Sequence, residues 1–256
     1  MMPPAKTQTA RSHETRAEID APVEVVWKAI THAPDIERWF APKLSVEPHV
    51  GGAVIADWGP GVEWKTVIEV WEPNRHLRLV ETRDRTLSAS PVTEKLEPCR
   101  LVQDYYLESQ GGKTVLRLVH SGFGTSEAWD TEFEGTRGGW AACFVRLKQS
   151  LEAHRNDDVR NRSIPWHCAG ITAEDGLKRL EAAIPGPFEE LQRARYEVCG
   201  LLPALNGSVL TLSVQPSQLG SSACIELLLY AVSGAQADAA ESYWRAKLTQ
   251  EFPTQT

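Results

Sequence analysis

Residues 114–151 read TVLRLVHSGFGTSEAWDTEFEGTRGGWAACFVRLKQSL, and the fold turns on this stretch. Gly111-Gly112 just before it is a hairpin turn, so Arg100–Glu108 and Thr114–His120 pair as strand and returning strand. Further on, Phe133, Trp140, Phe144, Leu147 and Leu151 recur at spacings of 7, 4, 3 and 4. Those spacings place them on one face of a long helix, from about Trp129 to His154. Gly135, Gly138 and Gly139 fall inside it. They weaken a helix but let it approach a sheet closely or kink.

Upstream, Thr15–Asp20 is strand-like, and Pro22 opens a short helix with Val23, Val26, Trp27 and Ile30 on one face. A second short helix is expected over Pro34–Trp39. Leu44–Pro48, Ala53–Trp58, Val62–Trp71 and Leu77–Glu81 follow as strands, separated by the turn signals Gly51-Gly52, Gly59-Pro60-Gly61 and Glu72-Pro73-Asn74. Thr82–Pro98 breaks this rhythm and reads as a long loop or lid over a pocket. The order of strand, two short helices, strands and long helix defines an α+β fold with the helix on one antiparallel sheet.

Arg155–Ser163 is charged and reads as a linker. Past it, Ile164–Ala169 is strand-like, and Thr172 caps a helix that ends before Pro185. Tyr196–Leu202, Ser208–Val214 and Ala223–Val232 are strands, and Ala235–Phe252 is a closing helix. The expected organisation is a frayed tail over 1–11, a first domain over 12–154, a linker over 155–163, and a smaller α+β domain over 164–256. The element order of the smaller domain is that of an abbreviated copy of the first; an unrelated α+β domain is the alternative.

Composition excludes several classes. With 256 residues, 42% apolar and 24% charged, the chain is globular, not disordered. No apolar run approaches the ~20 residues of a membrane span, and the N-terminus lacks the apolar segment of a secretory signal. Net charge is -7, with neither half basic, so neither nucleic acid nor an anionic membrane surface is an expected partner. The five cysteines are odd in number and form no C-x-x-C, which fits reduced thiols in a cytoplasmic protein. No His, Cys or carboxylate spacing suits a metal, and no cofactor motif occurs. Seven of the nine tryptophans precede residue 155. Large aromatics in that number build cores and also line apolar cavities.

Taken together, these segments carry a resemblance. Ala21-Pro22-Val23-Glu24-Val25-Val26-Trp27, Trp39-Phe40-Ala41-Pro42, Gly51-Gly52 and Ile68-Glu69-Val70-Trp71-Glu72-Pro73 stand in the order found in the START-like, or SRPBCC, superfamily. Leu116–Gly124 with Phe133–Trp140 is similar to the last strand and final helix of its "activator of Hsp90 ATPase homologue" branch. The resemblance covers about residues 12–154. It implies a helix-grip fold: an antiparallel sheet around a long C-terminal helix, with a hydrophobic cavity between. Residues 155–256 lie outside it.

Candidate cavity residues follow from that frame. Trp64 and Trp71 have opposite parity, so in an unbroken strand only one faces the cavity. Trp64, in phase with Ile68, is the choice unless a bulge intervenes. Trp58 lies beside it. Trp39, Phe40 and Trp140 are placed at the rim and base, with Phe123 and Phe144 nearby. Tyr105 and Arg117 are candidates for a polar group. His120 ends the last strand and is the one candidate acid or base; with no partner at a defined spacing, a structural hydrogen bond explains it better. The expected function is therefore binding of a hydrophobic small molecule. A polyketide cyclase or aromatase-type enzyme ranks second, because such enzymes work largely by holding a substrate in shape. A co-chaperone of Hsp90 ranks third, since fold resemblance alone carries no partner surface. A protein partner or homodimer stays open.

Overall fold

The computed structural model describes residues 10–58, 63–83, 99–217 and 220–252. The chain runs β1 (Arg11–Ile19), α1 (Val23–Thr31), α2 (Ala33–Ile36), β2 (Lys43–Val46), β3 (Ala53–Asp57), β4 (Glu63–Glu72), β5 (His76–Arg83), β6 (Cys99–Gln110), β7 (Lys113–Phe123) and α3 (Asp130–Glu152). The second part adds β8 (Val159–Ala169), α4 (Ala173–Ala182), β9 (Glu189–Ala194), β10 (Glu197–Leu202), β11 (Ser208–Ser217), β12 (Gly220–Tyr230) and α5 (Gly234–Glu251).

The first seven strands form one antiparallel sheet in the order β1-β7-β6-β5-β4-β3-β2. It is a meander whose last strand returns to pair with the first, His13 opposite His120. The other five form a smaller sheet ordered β8-β12-β11-β10-β9, which closes in the same way: β12 pairs with β8. The smaller sheet thus repeats the topology of the larger with two strands fewer. Thr172 accepts a hydrogen bond from the Asp175 N–H at 3.1 Å, the cap expected for α4.

Several boundaries differ from the sequence reading. β8 begins at Val159, so the charged run 155–163 is partly a strand and not a linker. Its charges Arg160 and Arg162 are half-buried on the edge strand of the small sheet, where they pair with Asp158 and with Asp238 and Glu241. β9 was not anticipated, because Glu189–Ala194 is mostly polar, with Leu191 its one large apolar residue; it is the other edge of the small sheet. β1 starts at Arg11, ahead of the expected Thr15. The lid expected over 82–98 lies, for residues 84–98, outside the described residues, and β5 continues through Arg83.

α3 is buried on more than one face. Trp140, Phe144 and Leu147 are buried as the spacing predicts, but so are Gly138, Ala142 and Arg146. The helix contacts β1 of the large sheet and also β9, β10 and β11 of the small one. Gly138 is what allows the second contact: a Cβ there would stand 2.9 Å from the Ala194 Cβ. The core around α3 accordingly includes Cys199, Val209, Leu228 and Tyr230 from the small sheet. A separate core under α4 and α5 is built on Ile164, Leu210, Leu212, Ile225 and Trp244.

Candidate ligand cavity

The cavity lies between the large sheet, the α1–α2 segment and α3, and comprises about 570 Å³ of atom-free space, its open mouth included. The alternation of β4, β5 and β6 supplies its floor: Trp64, Thr66 and Trp71, then Leu77 and Leu79, then Gln103 and Tyr105. Leu79 pairs with Gln103 and Leu77 with Tyr105, so these side chains share the inner face. Ile30, Thr31 and Ile36 close one side, with Trp39 and Phe40 just beyond α2. Leu44, Val46, Val54 and Ala56 close another. Trp140 of α3 forms the roof.

Of the residues singled out from the sequence, Trp39, Phe40, Trp64, Tyr105 and Trp140 line this space. Trp58 packs its ring 5.1 Å from that of Phe40, just outside the lining. Ile68 and Phe144 are fully covered in the adjoining core. Phe123 belongs to a separate small cluster with Leu101 and Trp129. His120 lies behind the wall: its Nδ1 accepts from the Trp140 indole at 3.1 Å, and its ring packs 4.6 Å from Phe123. Arg117 is a correction. It alternates with the buried Leu116 and Leu118, so it points outward, pairs with Glu14 at 3.2 Å and lies over the Tyr106 ring.

Trp71 is the other correction. The β4–β5 register shifts between Ile68 and Val70, a bulge that takes up one residue. Beyond it Trp71 stands opposite Leu77, on the inner face with Trp64. Thr66 and Gln103 were also missed. Thr66 could have been found from its phase with Trp64; Gln103 carries no signal beyond strand parity.

The walls are largely aromatic. Phe40 and Trp140 are parallel within 6°, with centroids 5.5 Å apart. Trp64 stands 6.1 Å from Trp140, and Tyr105 meets Trp140 edge-on at 5.9 Å. Two anchors hold this box. The Trp39 indole donates to the Ala29 carbonyl at 2.8 Å, and the Trp64 indole donates to the Glu81 carboxylate.

Polar groups are few. The Thr31 hydroxyl donates to the Trp27 carbonyl at 2.7 Å, and the Tyr105 hydroxyl donates to Gln103 Oε1 at 3.2 Å. Burial holds the Tyr105 phenol well above its ordinary pKa, so it stays protonated. Among the described residues, no Asp, Glu, His, Lys or Arg lines the cavity, and no group of three metal-ligating side chains is present.

An antiparallel sheet gripping a long helix, with an apolar cavity between them, is the helix-grip architecture of START-like proteins. Within that class, the family model described as "Activator of Hsp90 ATPase homolog 1-like protein" matches residues 20–152, and the chain belongs to that family. Among solved structures, protein MLL2253 from Mesorhizobium loti is similar at 27% identity and TM-score 0.47, over 58% of this chain and all of that one. CalU16 from Micromonospora echinospora is similar at 25% identity and TM-score 0.43, over 56% of this chain and 75% of that one. DynU16, of the dynemicin biosynthetic locus, is similar at 15% identity and TM-score 0.44, over 93% of this chain and 95% of that one. No curated protein matches the chain. No helix among the described residues is long and apolar enough to cross a membrane.

Proposed function

We propose that the protein binds a neutral, hydrophobic small molecule in this cavity, without chemistry of its own. The observation that carries the reading is a wall of aromatic rings with no charged lining residue among the described residues. Burying each large apolar contact contributes roughly 1.5–3 kcal/mol, so a few of them reach micromolar affinity after ordering costs. General acid–base catalysis needs an acid or base within reach of the ligand. His120 sits behind Trp140 and is not a lining residue, so it does not support a cyclase reading.

The test is native mass spectrometry of the purified protein, repeated after denaturation. The expected result is a hydrophobic adduct that disappears on unfolding and is depleted in Trp64→Ala. A bare mass, together with tryptophan emission that no neutral aromatic probe perturbs, overturns the reading.

A further inference from the structure

Resting on the binding reading above, we propose that Thr66 selects the ligand. The favoured occupant is a neutral ring system bearing one hydroxyl or carbonyl group, in preference to a bare hydrocarbon or a carboxylate.

The argument begins with an unmade hydrogen bond. Thr66 lines the cavity, is only 5% exposed, and its Oγ1 has no partner among the described residues. A buried hydroxyl in that state destabilises the empty protein, and buried polar groups are normally satisfied. The other polar lining groups show the contrast. Thr31 is spent on the Trp27 carbonyl, and Gln103 Oε1 is taken by Tyr105. Among the described residues, Thr66 is therefore the one lining hydroxyl that makes no hydrogen bond of its own, and it can donate or accept.

The sign of the ligand's charge follows from what surrounds it. A carboxylate in this cavity meets no lining cation among the described residues, and an unpaired buried charge is strongly disfavoured. The β4–β5 register, with Val67 opposite Val80, also sets Glu81 across from Thr66. Glu81 is buried and holds the Trp64 indole, so its carboxylate adds negative potential beside Thr66. The ligand's shape follows from the parallel Phe40 and Trp140 rings with Trp64 beside them. Flat faces favour flat partners.

The experiment titrates three probes that share one ring system: naphthalene, 2-naphthol and 2-naphthoate, read by tryptophan emission and calorimetry. Wild-type protein is expected to bind 2-naphthol about tenfold more tightly than naphthalene, and 2-naphthoate more weakly than either. Thr66→Val keeps the shape and removes the hydroxyl. It is expected to abolish the preference for 2-naphthol over naphthalene and to raise the melting temperature of the empty protein. Thr66→Ser is expected to keep the preference and serves as the binding variant if the valine protein folds poorly.

The inference fails if 2-naphthol and naphthalene bind wild type alike, or if Thr66→Val lowers the melting temperature while leaving their ratio intact. Tightest binding of 2-naphthoate overturns the charge argument. In each of these cases a ligand still binds and the broader reading stands. If none of the three probes binds, it is the binding reading that falls.

Discussion

His13 and Glu197 are buried side chains whose protons are held in opposite senses. Burial, with Arg137 adding to it and Glu134 opposing, lowers the His13 pKa to about 4. The unfolded chain takes up this proton near pH 6.5, before the folded one does. Stability from this site is therefore complete above pH 6.5 and is lost as pH falls toward 4, by roughly 3 kcal/mol at most. Glu197 behaves conversely. Burial, then the Glu226 charge, raises its pKa to about 8 against the pull of Arg146. Between pH 4.5 and 8 the folded protein keeps a proton that the unfolded chain has released, so stability falls as pH rises through that window. Chemical denaturation from pH 4.5 to 8.5 checks both. His13→Gln is expected to weaken the acid-side loss. Glu197→Gln is expected to be more stable than wild type at pH 8, on the order of 3 kcal/mol, and about equal to it at pH 4.5. A pH profile unchanged by either substitution would show that neither site is held as described.

At the scale of elements, two glycines in α3 make a matched pair. A Cβ at Gly138 meets Ala194 at 2.9 Å, while a Cβ at Gly139 meets nothing within 4 Å. Gly138→Val should wedge α3 away from β9 and cost about 1–3 kcal/mol. Gly139→Ala should add about 0.5–1 kcal/mol, since alanine loses less backbone freedom in a helix. Thermal denaturation of the two variants distinguishes this from a general intolerance of the helix. The sequence showed that these glycines permit close packing, but not that the partner would be the second sheet. The same divide runs through the candidate site. Trp64, Tyr105 and Trp140 were legible because strand parity and helix spacing are local and regular. Trp71 was not, because a bulge at Glu69 resets parity and leaves no mark in the residue pattern. Arg117 was misplaced because its function was weighed before its parity: Leu116 and Leu118 beside it already direct it outward. β9 escaped because Leu191 is its one large apolar residue, and a single residue marks no face.

At the scale of the molecule, the small sheet and its flanking chain hold a wall of the cavity in place. Arg146, buried in α3, pairs with Glu226 of β12 at 2.8 Å and donates to the Phe40 carbonyl at 3.0 Å. The Asn161 amide of β8 reaches the carbonyls of Glu37 and Phe40 at 2.9 and 3.3 Å. Arg38, in return, donates to the carbonyls of His154, Arg155 and Asp157 at 3.0–3.2 Å. The segment that carries Trp39 and Phe40 into the cavity is thus tied to the second half of the chain, and the short run before Val159 is fastened at both ends. Two consequences can be measured. Arg146→Ala strands a largely buried Glu226 and takes one of two donors from the Phe40 carbonyl, for an expected cost of about 3–5 kcal/mol. Asn161→Ala leaves that ion pair intact and should cost about 1–2 kcal/mol. A chain ending at residue 154 tests the whole arrangement. It removes Cys199, Val209, Leu228 and Tyr230 from the core around α3, and it strips the cover from Arg146. That chain is expected to bind an apolar dye and to melt without a cooperative transition. A sharp melt with no dye uptake would mean that the first sheet and α3 stand alone, and that the second half of the chain is attached to the cavity without supporting it.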